Sequence, residues 1–223
     1  KKLKQAEREA ERYFGDKTLL VEQYIREPRH IEVQILADQH GNCIHLYERE
    51  CSIQRRYQKI IEESPSPFVT ESIRKRLTTD ALKLCKSIGY QNAGTVEFLV
   101  DKDGNHFFLE VNARLQVEHP VTEMVTSIDL VKEQLLVAMG LPLTLSQEDV
   151  EINGHAIECR IYAEDPQNNF HPAPGKILSV QWPKEYLART DSWFSEPVDI
   201  LPDFDPMLAK IITHAPTRLY AIE

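Results

Sequence analysis

Helical periodicity marks three segments of the chain, in which apolar residues recur every three or four positions. Thr70 suits the N-cap of the second segment, and Gly89 and Gly140 suit the positions that follow the second and third. The predicted helices are residues 1–14, 70–88 and about 129–139.

Shorter apolar runs, several of them bounded by turn residues, predict strands. The predicted strands are residues 19–25, 30–37, 43–47, 94–100, 106–111 and 154–162. The composition then shifts to a loop rich in proline and asparagine over 165–175, followed by a β-rich tail to about 198. Helices mixed with antiparallel hairpins indicate an α+β fold, with a domain boundary near 141–153.

Composition and charge narrow the class of protein. Of the 223 residues 42% are hydrophobic and 27% charged, as in an ordinary globular protein. A net charge of −9 argues against a surface for nucleic acid or anionic membrane, and we find no apolar stretch long enough to cross a membrane. The cysteines form no C-x-x-C pair, so we interpret them as buried single thiols. They are Cys43, Cys51, Cys85 and Cys159.

The loop 101–105 is predicted to join two strands in a hairpin, and a turn centred on Asp103-Gly104 would bring two carboxylates together. In that register Glu97 lies opposite Glu110, and Asn112 shares their face. Opposed carboxylates destabilise a sheet unless a cation lies between them, and these oxygen ligands suit magnesium or manganese rather than zinc. The alternative that both carboxylates simply face solvent stays open on the pairing alone.

The segment 112–124 (NARLQVEHPVTEM) concentrates polar side chains between apolar segments. Arg114 can hold a small planar anion with two parallel hydrogen bonds, and Glu118 can act on the same anion as a base. His119 precedes Pro120, so we expect an extended backbone and a structural histidine.

A basic run over 50–61 sets Arg55, Arg56 and Lys59 around two glutamines. A lone basic run is usually a solvated surface. Beside a carboxylate-bound cation, however, it becomes a candidate phosphate clamp.

Together these segments resemble the biotin carboxylase family of ATP-grasp enzymes over nearly the whole chain. The most specific string is Arg-Leu-Gln-Val-Glu-His-Pro-Val-Thr-Glu at 114–123, since other ATP-grasp enzymes share the two metal-binding glutamates and the asparagine but not this anion loop. The other matching segments are 22–24, 28–30, 50–59, 94–98, 110–112, 158–160 and 163–166. The chain departs from the family at Tyr57, where many relatives have histidine, and at Gln23, where lysine is common.

The resemblance implies roles in binding ATP and metal. The adenosine contacts would be Glu22, Ile25, His30, Gln54 and Leu99. Two divalent ions bridging the ATP phosphates would be bound by Glu97, Glu110 and Asn112.

It also implies an anion site and a biotin site. Bicarbonate would be held by Lys59, Arg114, Gln116 and Val117, with Glu118 as the base that deprotonates it. Arg160 would stabilise the enolate of the biotin ureido ring. The catalytic set would thus be Lys59, Arg114, Glu118 and Arg160, whereas Lys210 belongs to a C-terminal strand whose role we interpret as structural.

The implied activity is that of an ATP-dependent ligase. Deprotonated bicarbonate would attack the γ-phosphate to give carboxyphosphate, which breaks down to the CO2 that carboxylates biotin. The expected cofactors are ATP, two Mg²⁺ or Mn²⁺, biotin as carrier substrate and bicarbonate. The expected partners are a biotin carboxyl carrier protein or domain, a carboxyltransferase and a second copy in a homodimer, in the cytoplasm or, for a eukaryote, the mitochondrion.

The resemblance also divides the chain into three parts. We expect a remnant of the ATP-grasp lid subdomain at 1–24, an ATP-grasp core with an antiparallel sheet flanked by helices at 25–145, and an incomplete, β-rich biotin carboxylase C-terminal domain at 150–223. The family's glycine-rich lid and two ATP-binding lysines fall outside the chain, so we expect an inactive fragment of a biotin-dependent acyl-CoA carboxylase. Alternatives are the corresponding domain of pyruvate carboxylase, another ATP-grasp carboxylate ligase, and a non-catalytic docking domain.

Overall fold

Eight strands form one antiparallel sheet in the computed structural model, which describes residues 2–194 and 197–223. The strands of the described residues, including four outside this sheet, are β1 (Arg29–Ala37), β2 (Cys43–Arg55), β3 (Gln58–Ser64), β4 (Asn92–Val100), β5 (His106–Asn112), β6 (His155–Tyr162), β7 (Glu164–Asp165), β8 (His171–Pro172), β9 (Gly175–Ile177), β10 (Arg189–Ser192), β11 (Val198–Ile200) and β12 (Met207–Ala215). The order across the main sheet is β10-β12-β6-β3-β2-β1-β4-β5, and β9 with β11 and β7 with β8 form two small separate sheets.

Five α-helices accompany the strands in the described residues. They are α1 (Lys2–Phe14), α2 (Glu71–Ser87), α3 (His119–Thr126), α4 (Leu130–Ala138) and α5 (Arg218–Ile222). The predicted cap of α2 is confirmed, since the Thr70 hydroxyl accepts a hydrogen bond from the Ile73 amide, and Gly89 follows the helix with a φ of 61°. None of these helices is long and apolar enough to span a membrane.

Alternation along β1 separates the two faces of the sheet. Ile31, Val33 and Ile35 are fully buried under α2. The intervening residues Glu32 and Gln34 face the other side, where polar groups gather and where α3 and α4 pack. The apolar stripe of α2 thus packs on one face of β1 and β2, and polar groups gather on the opposite face.

Two local predictions are wrong. Residues 19–25 form no strand but a largely exposed irregular segment, because none of the described strands pairs with them. His119 is not extended but opens α3, because a proline in the first turn of a helix has no amide hydrogen to lose there.

The predicted boundary at 141–153 contains irregular structure and a single 3₁₀ turn, Gln147–Asp149. The strands before and after it join the same sheet through the pairing of β3 with β6. The division at 24, 145 and 150 stays a prediction. The four cysteines are free thiols; Cys51 and Cys85 are buried as predicted, whereas Cys43 and Cys159 are only half-buried.

Candidate active site

An open cleft of about 1060 Å³ lies on the polar face of the sheet. It collects every predicted site residue except Glu22, which is exposed and lies outside the lining although its neighbours Gln23 and Ile25 are part of it. The predicted residues in the lining are Ile25, His30, Gln54, Lys59, Glu97, Leu99, Glu110, Asn112, Arg114, Gln116, Val117, Glu118 and Arg160.

The carboxylate hairpin has the predicted pairing and the predicted loop, residues 101–105. Glu97 lies opposite Glu110, although the pairs next to the loop are shifted by one residue from a turn centred on Asp103-Gly104. A β-bulge that leaves Leu109 without a partner accounts for the difference. Without the extra residue, the register set by the loop would put Leu109 opposite Glu97 and turn Glu110 to the other face.

Glu97 receives hydrogen bonds from three neighbours at one oxygen. Its Oε1 lies 2.9 Å from the Lys59 Nζ, 2.9 Å from the Asn112 Nδ2 and 2.7 Å from the Gln116 Nε2, and its Oε2 lies 2.7 Å from the His30 Nε2. Burial alone would raise the pKa of Glu97, but His30 and Lys59 outweigh it and lower that pKa to about 2. Glu97 is therefore ionised at every physiological pH.

Lys59 connects three carboxylates that come from different parts of the chain. Its Nζ lies 2.5 Å from Glu32, 2.9 Å from Glu97 and 2.7 Å from Glu118. Burial opposes the charged form of the lysine, but the surrounding carboxylates raise its pKa above the ordinary value. Lys59 is thus a permanently charged ammonium between the carboxylate hairpin and the 112–124 segment.

Glu118 immediately precedes α3, and its two oxygens are held by different cations. Oε1 accepts from Lys59 at 2.7 Å, and Oε2 accepts from the Arg160 Nη2 at 3.1 Å. The Arg160 Nε donates in turn to Glu62 at 2.7 Å. Burial raises the pKa of Glu62 to about 7 although Arg160 opposes the rise.

Arg114, the predicted anion clamp, remains available at the cleft. Its side chain is exposed, and its Nη1 donates only to the Leu115 carbonyl at 3.3 Å. Tyr57, at the tip of the hairpin between β2 and β3, is also exposed and lines the cleft. Because neither side chain is committed to the fold, both can turn towards a ligand.

Sequence reasoning missed several buried charges around the cleft. Arg49 is fully buried, and Lys210, which was assigned a structural role, donates from its Nζ to the Val117 carbonyl at 2.7 Å. Glu158 is fully buried and its carboxylate has no hydrogen-bond partner among the described residues. The sequence could have indicated Glu158 and Lys210 only if the strand order had been known. Glu158 pairs with Glu62, and Lys210 pairs with Arg160, on neighbouring strands.

The donor set at the hairpin fits a hard divalent cation. Glu97 is ionised, Glu110 is exposed to the cleft, and the Asn112 amide lies 2.9 Å from the first and 3.3 Å from the second. Carboxylates that open to a cleft leave coordination positions for phosphate oxygens, as magnesium sites require. Rotating the Asn112 amide by half a turn would present its oxygen to the same place.

Comparison with known proteins agrees with this geometry. Family models match residues 1–146 (carbamoyl-phosphate synthase L chain, ATP binding domain) and residues 158–223 (biotin carboxylase C-terminal domain). Biotin carboxylase 2 of Bacillus subtilis is 53% identical over 95% of this chain and 47% of the relative. The propionyl-CoA carboxylase alpha chain of Ruegeria pomeroyi is 47% identical over 96% of this chain and 34% of the relative.

A solved structure of the biotin carboxylase domain dimer of 2-oxoglutarate carboxylase from Hydrogenobacter thermophilus, in complex with MgADP, ADP and bicarbonate, has a TM-score of 0.92. It is 46% identical, over 99% of this chain and 49% of that one. The chain spans about half the length of the biotin carboxylases that it matches, and 34% of the propionyl-CoA carboxylase alpha chain. The family and the α+β ATP-grasp fold expected from the sequence are confirmed, and the chain belongs to the biotin carboxylase family of ATP-grasp proteins.

Proposed function

We propose that this chain supplies the central part of a biotin carboxylase, which uses ATP and bicarbonate to carboxylate biotin through carboxyphosphate. The observation that carries the proposal is the cluster at Glu118. One cleft holds a carboxylate between Lys59 and Arg160, with the carboxylate hairpin beside it. Cations on both sides of a single carboxylate suit a base that must act on an anion.

The anion site would be built around Lys59, Arg114 and the 116–118 segment. Lys59 and Arg114 would neutralise bicarbonate, with Gln116 and Val117 beside it, while Glu118 removes its proton. Each oxygen of Glu118 accepts a hydrogen bond from one cation and keeps a further lone pair, to which the bicarbonate hydroxyl could donate. The two cations would keep the base ionised until its substrate arrives.

The nucleotide would lie along the other half of the cleft. Glu97, Glu110 and Asn112 would hold two magnesium ions, with manganese as a substitute, and these ions would neutralise the developing charge on the phosphates. The adenosine contacts would be Ile25, His30, Gln54 and Leu99, with Glu22 contributing at the hinge through its backbone.

Arg160 would receive the biotin ureido oxygen. It reaches Glu118 and Glu62 at once, so a negative charge on the biotin ring could replace one carboxylate contact with little movement. The carrier of that biotin would be a biotin carboxyl carrier protein or domain. A separate carboxyltransferase would choose the acceptor, which we propose to be an acyl-CoA, and the parent enzyme would be a homodimer in the cytoplasm or an organelle.

The test is ATP cleavage by the full-length enzyme that contains this chain. Cleavage should require bicarbonate and rise with free biotin. Glu118→Gln should lower carboxylation by about a hundredfold or more, the range for loss of a general base, while ATP affinity stays within a factor of a few. Glu148→Gln, on an exposed turn, is the matched control. ATP cleavage that ignores both bicarbonate and biotin would instead indicate a different ATP-grasp ligase.

A further inference from the structure

Arg49 is a fully buried arginine beneath the proposed site, in the middle of β2. Its guanidinium reaches both halves of the cleft from below, without lining it. A charge buried this deeply is costly unless hydrogen bonds satisfy it, so the identity of its partners is informative.

The partners of Arg49 come from four different elements. Its Nε donates to Glu32 at 2.5 Å on β1, and its Nη2 donates to Thr95 at 3.2 Å on β4. Its Nη1 donates to Thr122 at 2.9 Å on α3 and also to Gln34. A further bond from Nη2, 3.1 Å long, reaches the oxygen of Gln116 in the 112–124 segment.

Two partners of Arg49 are themselves hydrogen-bonded to a group in the cleft. Gln116 accepts from Arg49 with its oxygen and donates with its nitrogen to Glu97 at 2.7 Å, so its amide orientation is fixed. Glu32 accepts from Arg49 with one oxygen and from Lys59 with the other. A single intervening residue therefore connects Arg49 to Glu97, the proposed metal-binding carboxylate, and another connects it to Lys59, the proposed anion-binding lysine.

A third partner fixes the helix that follows Glu118. Helix α3 begins directly after Glu118, and Thr122 lies near its start. The Thr122 hydroxyl accepts a hydrogen bond from Arg49. The start of this helix is thus hydrogen-bonded to the sheet by a side chain that does not line the cleft. A lysine at position 49 would keep the charge but has a single nitrogen in place of the planar fork, and could not make these bonds together.

We propose, given the function proposed above, that Arg49 is a positioning residue that fixes the distance between the carboxylate hairpin and Glu118. The two groups serve different substrates, the ATP phosphates and bicarbonate, and the first chemical step joins those substrates. Arg49 sets their separation through Gln116 on one side and α3 on the other. Loosening this link should harm the reaction between two bound substrates more than the binding of ATP alone.

The experiment compares Arg49→Lys with Arg74→Lys in the full-length enzyme. Arg74 is a matched control because it makes a two-pronged ion pair with the fully buried Glu48 but lies outside the cleft. Arg49→Lys should lower kcat for bicarbonate-dependent ATP cleavage about a hundredfold, the cost of a misplacement near 1 Å, and raise KM for bicarbonate, with KM for ATP changed by less than threefold. Arg74→Lys should lower the melting temperature with kinetic constants close to those of the unchanged enzyme.

Thr122→Val supplies a second test if Arg49→Lys does not fold. It removes one acceptor of Arg49 at nearly constant volume, and Thr126→Val, which loses only a bond to the carbonyl of Thr122 in the same helix, is its control. Thr122→Val should lower kcat/KM for bicarbonate several-fold relative to Thr126→Val, and leave KM for ATP unchanged. Unchanged bicarbonate kinetics in Arg49→Lys, or equal losses in each variant and its control, would overturn the proposal. If ATP cleavage by the unchanged enzyme did not depend on bicarbonate, that result would instead count against the proposed function.

Discussion

Glu158 makes the stability of this chain depend on pH in a direction opposite to that of most carboxylates. Its side chain is buried on β6 without a hydrogen-bond partner among the described residues, opposite Glu62 on β3. Burial raises the pKa of Glu158 from 4.5 to about 9, although Lys210 opposes the rise. The folded chain therefore binds a proton that the unfolded chain releases above about pH 4.5.

The sign and size of the effect follow from the two pKa values. Between 4.5 and 9 the native state holds more protons than the unfolded state, so the free energy of unfolding falls as pH rises. Each pH unit in this window corresponds to about 1.4 kcal/mol, so the two units between pH 5 and pH 7 correspond to roughly 3 kcal/mol. The contribution is fully present below pH 4.5 and is lost as pH approaches 9.

Glu158→Gln removes this titration while nearly preserving volume. Urea unfolding of this 223-residue chain, followed by circular dichroism from pH 5 to pH 7, should show the variant gaining roughly 3 kcal/mol relative to the unchanged chain. Glu185→Gln, at an exposed glutamate, should run parallel to the unchanged chain throughout. Parallel curves for Glu158→Gln as well would refute the argument, because they would mean that Glu158 carries the same charge in both states.

Three further predictions concern other contacts. Arg160→Ala should reduce biotin-dependent carboxylation by the full-length enzyme more than bicarbonate-dependent ATP cleavage, and equal losses in the two assays would count against a biotin contact. Glu110→Gln should raise the magnesium concentration needed for half-maximal ATP cleavage while KM for bicarbonate is unchanged, and an unaltered magnesium requirement would remove Glu110 from the metal site. Thr70→Ala should cost about 1 kcal/mol of unfolding free energy through loss of the cap on α2, whereas Thr70→Ser should cost less, and equal losses would show that the hydroxyl is not what matters.

Short-range patterns predicted much of the fold. The cap, the apolar repeat and the terminal glycine of α2 lie within twenty residues, so the sequence alone carries them. The pairing of Glu97 with Glu110 was also correct, although for a reason that the sequence did not show. The loop 101–105 alone would pair Glu97 with Leu109, and the bulge at Leu109 restores the alignment.

Long-range contacts were beyond single-sequence reasoning. Whether a buried charge has a partner depends on which strands are neighbours, and β3, β6 and β12 are adjacent although their sequence positions are far apart. The neighbours of Glu62, Glu158 and Lys210 could therefore be identified only from the structure. The strand predicted at 19–25 does not form for the converse reason, since none of the described strands pairs with that segment.

The continuity of the sheet has a consequence for how such an active site can open. Lys59, Glu97, Glu110 and Arg160 stand on β3, β4, β5 and β6, all members of the same hydrogen-bonded sheet. Separating any two of them would break backbone hydrogen bonds between strands. The groups proposed to bind phosphate, bicarbonate and biotin therefore keep fixed positions relative to one another. We therefore expect any motion that admits or releases a ligand at this cleft to come from groups outside the sheet rather than from separation of its strands.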